Sequence, residues 1–197
     1  MLCLAHFVGL AMLKHSLERE AEMLWVSNVS LVFVGVALVL SLPLLSKIAL
    51  TLIGVPHTLW VADAAFGVLL GFHPLGMVAY LSHVDYLQIL ATSHHLYLLP
   101  MLLLIHHRFR SLDRVSLLSA LACYMYLVLV CRVATDPQLN VNWVFVPFPS
   151  FTQEWIRGLD ALQPALMLSA LVGVVALIAM IPVTLVSQLA QRRNQAQ

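Results

Sequence analysis

Charge is what this 197-residue chain has least of: Asp, Glu, Lys and Arg together make up 10% of it, against about 25% in soluble globular domains. With a hydrophobic share of 61% and a mean hydropathy of +0.94, that scarcity excludes an ordinary soluble domain and points to an integral membrane protein. Basic excess is missing too. The net charge is +1 and the ten Lys and Arg residues are scattered over chain ends and short connections, which offers nucleic acid no positive field. Cysteine is scarce: Cys3, Cys123 and Cys131 are odd in number, lie in apolar surroundings and form no Cys-x-x-Cys pair, so neither a disulfide framework nor a thiolate metal site is indicated. They read as small buried hydrophobes. The first stretch, residues 1–13, has no basic region of the kind that opens a signal peptide and is short for a full span. Internal repeats and low-complexity tracts are also lacking.

What the chain does have is a succession of apolar runs long enough for helices. They predict an all-α polytopic bundle, a single transmembrane domain over 1–197 with about six helices, the first one short: 1–13, 23–45, 48–71, 86–106, 115–133 and 159–186. Ser46-Lys47 reads as a tight turn between the second and third. Residues 77–85 are too few to cross and too apolar for a free loop, so they read as interfacial or re-entrant. The one long loop, 134–158, mixes turn formers such as Asp136, Pro137 and Asn140 with Trp143 and Trp155. In the last span, Ser169-Ala-Leu-Val-Gly173 is a small-xxx-small pattern that lets helices approach closely. On alternate connections, Lys47, Arg108, Arg110, Arg114, Arg192 and Arg193 fall on one side. Lys14, Arg19, Arg132 and Arg157 fall on the other, mixed with acids. The positive-inside rule then puts both termini in the cytoplasm.

The polar residues inside the apolar runs gather on the opposite side. Charged groups at membrane depth cost roughly 2.5 to 3.5 kcal/mol on insertion scales, so ionisable residues there face partners, water or ligand. By the helical rise, Ser27 and Asn28 lie about 6 to 8 Å from the non-cytoplasmic face, and Asp63, His94 and His95 about 12 to 14 Å from it. Asn142 sits in the loop that closes over this side. The grouping predicts an outward cavity, with Asp63 as the residue to orient a histidine or, equally, a hydrogen-bonded structural acid. Neighbouring helical residues point about 100° apart, so one of His94 and His95 is expected to face the cavity. Pro100, which has no N–H to give Leu96, is expected to kink the helix one turn further on. His57 reads as a packing histidine, and Trp25, Trp60, Trp143 and Trp155 as interfacial or packing residues. His106 and His107 read as part of a solvated basic turn.

Several short motifs resemble the YwaF-like six-helix membrane family: Met23-Leu-Trp-Val-Ser-Asn28, Gly54-Val-Pro-His-Thr-Leu-Trp60, Ser93-His94-His95, Asn142-Trp-Val-Phe145, Leu159-Asp-Ala-Leu-Gln-Pro164 and Ile181-Pro182. Asn140-Val-Asn-Trp-Val-Phe145 is similar to a bacterial subgroup, which implies a bacterial inner membrane. More distantly, the group is similar to transmembrane acyltransferases with a Cys nucleophile and to hydroxy-fatty-acid ester hydrolases with a Thr nucleophile, each working with a His. Carried over, the nucleophile position falls on Ser27, the acid that follows it on Asn28, and the histidine on His94 or His95. Asn28 stands where an acid is usual. The resemblance thus implies a lipid acyl-ester hydrolase or acyltransferase with Ser27 as nucleophile and His94 or His95 as base. Asp63, Asn142, Trp143 and Asn28 would support it or bind substrate, membrane lipid would be both surroundings and substrate, and no cofactor would be needed. Two other expectations stand beside it: a non-enzymatic small-ligand, transport or assembly protein, and a metal or haem held by His57 with His94 or His95.

Overall fold

A computed structural model of the chain describes residues 1–109 and 113–145. They are 83% helical, with no strand among them. The predicted last span (159–186), its small-residue pattern and the rest of the long loop lie outside the described residues, as do Arg110, Trp155 and Arg157.

Helix α1 covers Leu2–Ser16 and α2 Val26–Leu40, each 15 residues, or about 22 Å at 1.5 Å per residue. Between them Glu20–Leu24 forms a 3-10 turn. The second helix is therefore shorter at both ends than the apolar run 23–45 predicts. Its stop is set by Ser41, in the left-handed region at φ 55°, whose successor Leu42 donates its N–H back to Ala37 O at 3.0 Å. Pro43 then opens α3, Pro43–Leu70. Proline suits a first helical turn because the N–H it lacks would have no partner there. The turn thus falls at Ser41-Leu42 and not at Ser46-Lys47. Helix α3 runs 28 residues without a break through Pro56 and ends at Gly71, whose φ of +74° glycine adopts without steric cost.

After a connection that includes the 3-10 turn Ala79–His83, the fourth predicted helix arrives in two pieces: α4, Tyr86–Thr92, and α5, His94–Phe109. The interruption is at Ser93. Pro100, the expected kink, lies inside continuous α5. Helix α6, Arg114–Ala134, is opened by a capping box in which Asp113 accepts from Ser116 N–H and the Ser116 hydroxyl faces Asp113 N–H.

Helix α3 is the centre of the packing and touches α2, α5 and α6, while α1 lies on α2. The core joins Cys3, Leu31, Val34, Ile53, Leu98 and Ala120, drawing on five helices. Where α1 crosses α2, a Cβ on Gly35 would come within 2.6 Å of the Leu4 side chain, so the crossing distance depends on glycine. Among the described residues, three helices are long and apolar enough to cross a membrane: α3, the α4–α5 pair over Tyr86–His106, and α6. Helices α1 and α2 are apolar but shorter.

Candidate functional site

The Ser93 break determines how the two adjacent histidines are held. Leu96 N–H turns to Ser93 O at 3.0 Å and Ser93 N–H to Leu90 O at 3.1 Å, three residues back in each case where an α-helix would reach four. The carbonyls just before the break take imidazoles: His94 Nδ1 lies 3.0 Å from Ala91 O and His95 Nδ1 2.9 Å from Thr92 O. A carbonyl only accepts, so both Nδ1 atoms donate and each neutral ring keeps its lone pair on Nε2. Ala91 O also accepts from His6 Nε2 of α1 at 2.9 Å, and Tyr97 OH lies 2.9 Å from His6 Nδ1.

Against this pair α3 sets His57 and Trp60. The His95 ring touches both, 4.6 Å from Trp60 at an interplanar angle of 22° and 4.5 Å from His57 at 30°. The His94 centroid is 4.2 Å from that of His95 and 6.0 Å from that of His57. All three imidazoles border one cavity of about 430 Å³, shared with Ser27, Asn28, Trp25 and Tyr80. The expectation that only one of His94 and His95 would face it is corrected. Side chains about 100° apart on one helix still reach a common space when both rings bend back to the preceding carbonyls and a neighbouring helix packs across them. His57, expected as a packing residue, also belongs to the cavity wall.

Ser27 sits in the first turn of α2, buried and facing the same space. Its Oγ is not hydrogen-bonded to an imidazole among the described residues. The turn is tied down from two sides. Asn28 Nδ2 donates to Glu22 O at 2.9 Å, while Asn142 accepts from Val26 N–H at 2.8 Å and donates to Leu24 O at 2.7 Å. Asn142 Nδ2 also reaches Cys131 Sγ at 3.4 Å. Asn142 thus positions the start of α2, with its amide oxygen and nitrogen both engaged in doing so. Asp63 is fully buried and accepts from the backbone N–H of Leu75 at 2.7 Å and of Val78 at 3.1 Å; the imidazole beside it is His73, not one of the cavity three. Trp143 ends the 3-10 turn Val141–Trp143, and its side chain lies outside the described set.

At the cavity rim Glu22, 7% exposed, is paired with both Lys14 and Arg19. From the sequence, Lys14 and Arg19 bear only on orientation, and neither they nor Glu22, His6 and Tyr97 are placed at a site. Their only advance signal is alternating charge, which exposed segments share. No family model, curated protein or solved structure matches the chain at a significant level.

Proposed function

We propose that the chain is an integral, multi-pass membrane protein with about six spans and both termini in the cytoplasm, and that its cavity takes the acyl ester of a lipid from the non-cytoplasmic leaflet and hydrolyses or transfers it. The observation that carries this is the meeting of the Ser27 hydroxyl and three imidazoles in the wall of one cavity of about 430 Å³. Support for the membrane setting comes from the apolar helices α3, α4–α5 and α6, and from large apolar side chains on the outer surface, among them Val68, Leu69, Leu104, Leu118 and Val133. A lipid bilayer accepts such a surface, whereas water does not.

In the proposed chemistry Ser27 Oγ attacks the ester carbonyl carbon while an imidazole takes the hydroxyl proton. The carbonyl carbon–oxygen bond to the alcohol then breaks, and the alcohol leaves with that proton. Water or a second alcohol releases the acyl group from Ser27. The positive end of α2, held in place by Asn142 and Asn28, favours the developing oxyanion.

A non-enzymatic small-ligand or transport role is favoured by one observation, the lack of a hydrogen bond from Ser27 Oγ to an imidazole. A fluorophosphonate probe on the detergent-solubilised chain decides between them. Wild type and Ser82→Ala, a change on the exposed turn before α4, should label, and Ser27→Ala should not. Equal labelling of Ser27→Ala, or none of wild type, rejects Ser27 as nucleophile.

A further inference from the structure

Three imidazoles meet in the cavity wall, and two of them, His57 and His94, carry ring nitrogens without a hydrogen-bond partner among the described residues. His57 from α3 and His94 and His95 from the start of α5 place one ring nitrogen each within 4.8 Å of the others. His57 and His94 are 1% and 2% exposed, and both nitrogens of His57 and Nε2 of His94 have no hydrogen-bond partner among the described residues. Buried polar atoms are nearly always paired, and three orphans in one cluster mark a place where something else supplies the partner.

The backbone indicates what that partner is. Ala91 O and Thr92 O hold His94 and His95 in the Nδ1–H tautomer, which leaves the Nε2 lone pairs free. Histidines that bind metals are commonly held in this way, the non-ligating nitrogen donating to a carbonyl or carboxylate. His95 is further fixed by its stack on Trp60 and its tilted contact with His57. We propose that His57, His94 and His95 bind one first-row divalent transition-metal ion, Zn²⁺ being the natural occupant.

An all-imidazole set suits zinc, copper, nickel or iron and does not suit magnesium or calcium, which take oxygen. An ion about 2.0 to 2.1 Å from each nitrogen in tetrahedral geometry brings the nitrogens to about 3.4 Å apart. The ring nitrogens lie within 4.8 Å of one another, so an ion would have to draw them closer. Three protein ligands leave the ion a fourth position for water or a substrate oxygen. A haem is disfavoured, because His57 and His95 overlap at 4.5 Å and do not oppose each other across a flat slot.

The inference stands on the imidazole geometry, and a bound ion would occupy the lone pairs that the ester reading gives to the base, so the two readings describe alternative uses of the same rings. Full-length chain purified in detergent without chelator should carry about one equivalent of metal by elemental analysis. After chelation, Co²⁺ should titrate to a saturable visible spectrum of a low-symmetry site. His57→Gln should weaken Co²⁺ binding on the order of 10- to 100-fold at unchanged helicity by circular dichroism, while His83→Gln, on the exposed turn before α4, should bind as wild type does. Wild type without bound metal and without a saturable Co²⁺ spectrum overturns the site, as does His57→Gln titrating like wild type. A chain that binds Co²⁺ stoichiometrically and is never labelled by fluorophosphonate keeps the metal site and loses Ser27 catalysis. A labelled chain that binds no metal does the reverse.

Discussion

Asp63 shows at the residue scale how one polar group can be noticed in a sequence while its partners stay open between a histidine and the backbone. A carboxylate in an apolar run is costly enough to require partners, and that much is legible from its position. Its oxygens are taken by the N–H groups of Leu75 and Val78, so it holds the chain that folds back after Gly71. Hydrogen bonds to a buried charge contribute about 1.5 to 3 kcal/mol each. Asp63→Ala should therefore lower stability by about 3 kcal/mol or more, and Asp63→Asn, which keeps one acceptor oxygen, by roughly half as much. Thermal unfolding in detergent measures this; an unshifted midpoint for Asp63→Ala would mean that the carboxylate does not hold the turn. The histidines illustrate the reverse case. His94 and His95 stand out in any reading of 86–106, whereas His57 beside Pro56 looks like packing until α3 is placed against α5.

At the element scale, helix ends follow local chemistry that hydropathy alone misses. The apolar run 23–45 hides a boundary that Ser41 and Pro43 set, because the left-handed residue and the proline act on the backbone and leave the hydrophobic count unchanged. The break at Ser93 is less legible still, since serine within an apolar helix is common and nothing in its neighbours forbids continuation. The start of α6 is set by a capping box of Asp113 and Ser116. Asp113 also takes a hydrogen bond from Lys47 of α3 at 2.6 Å. That bond first, and the Ser116 N–H second, hold its carboxyl below the ordinary carboxylate range. A depressed acid stabilises the fold above its unfolded value, and the contribution is lost as pH falls through the folded value. The thermal midpoint should accordingly drop on acidification through and below the normal Asp range. Asp113→Ala should remove that part of the slope, and high salt should shrink the Lys47 share of this exposed pair. Identical pH profiles for wild type and variant would show that neither contact stabilises α6.

For the whole molecule, α3 is the post on which α2, α5 and α6 are arranged, and the cavity opens where α2, α3 and the α4–α5 break come together. Lys47 and Asp113 join α3 to α6 at one end, and Lys14, Arg19 and Glu22 cluster at the cavity rim. If the Lys47 end faces the cytoplasm, green fluorescent protein fused to either terminus should fluoresce and alkaline phosphatase there should be inactive. Phosphatase inserted after His83 should be active; the opposite pattern would invert the proposed topology. The helical class and the apolar character are properties of composition and of spacing along the chain, so the sequence by itself determined them. Only the tertiary structure decided that Ser27, His57, His94 and His95 share a cavity and that Asp63 serves a turn. Residues 30 to 70 positions apart meet according to how helices rotate and cross, and those angles depend on packing among many side chains that no local pattern encodes.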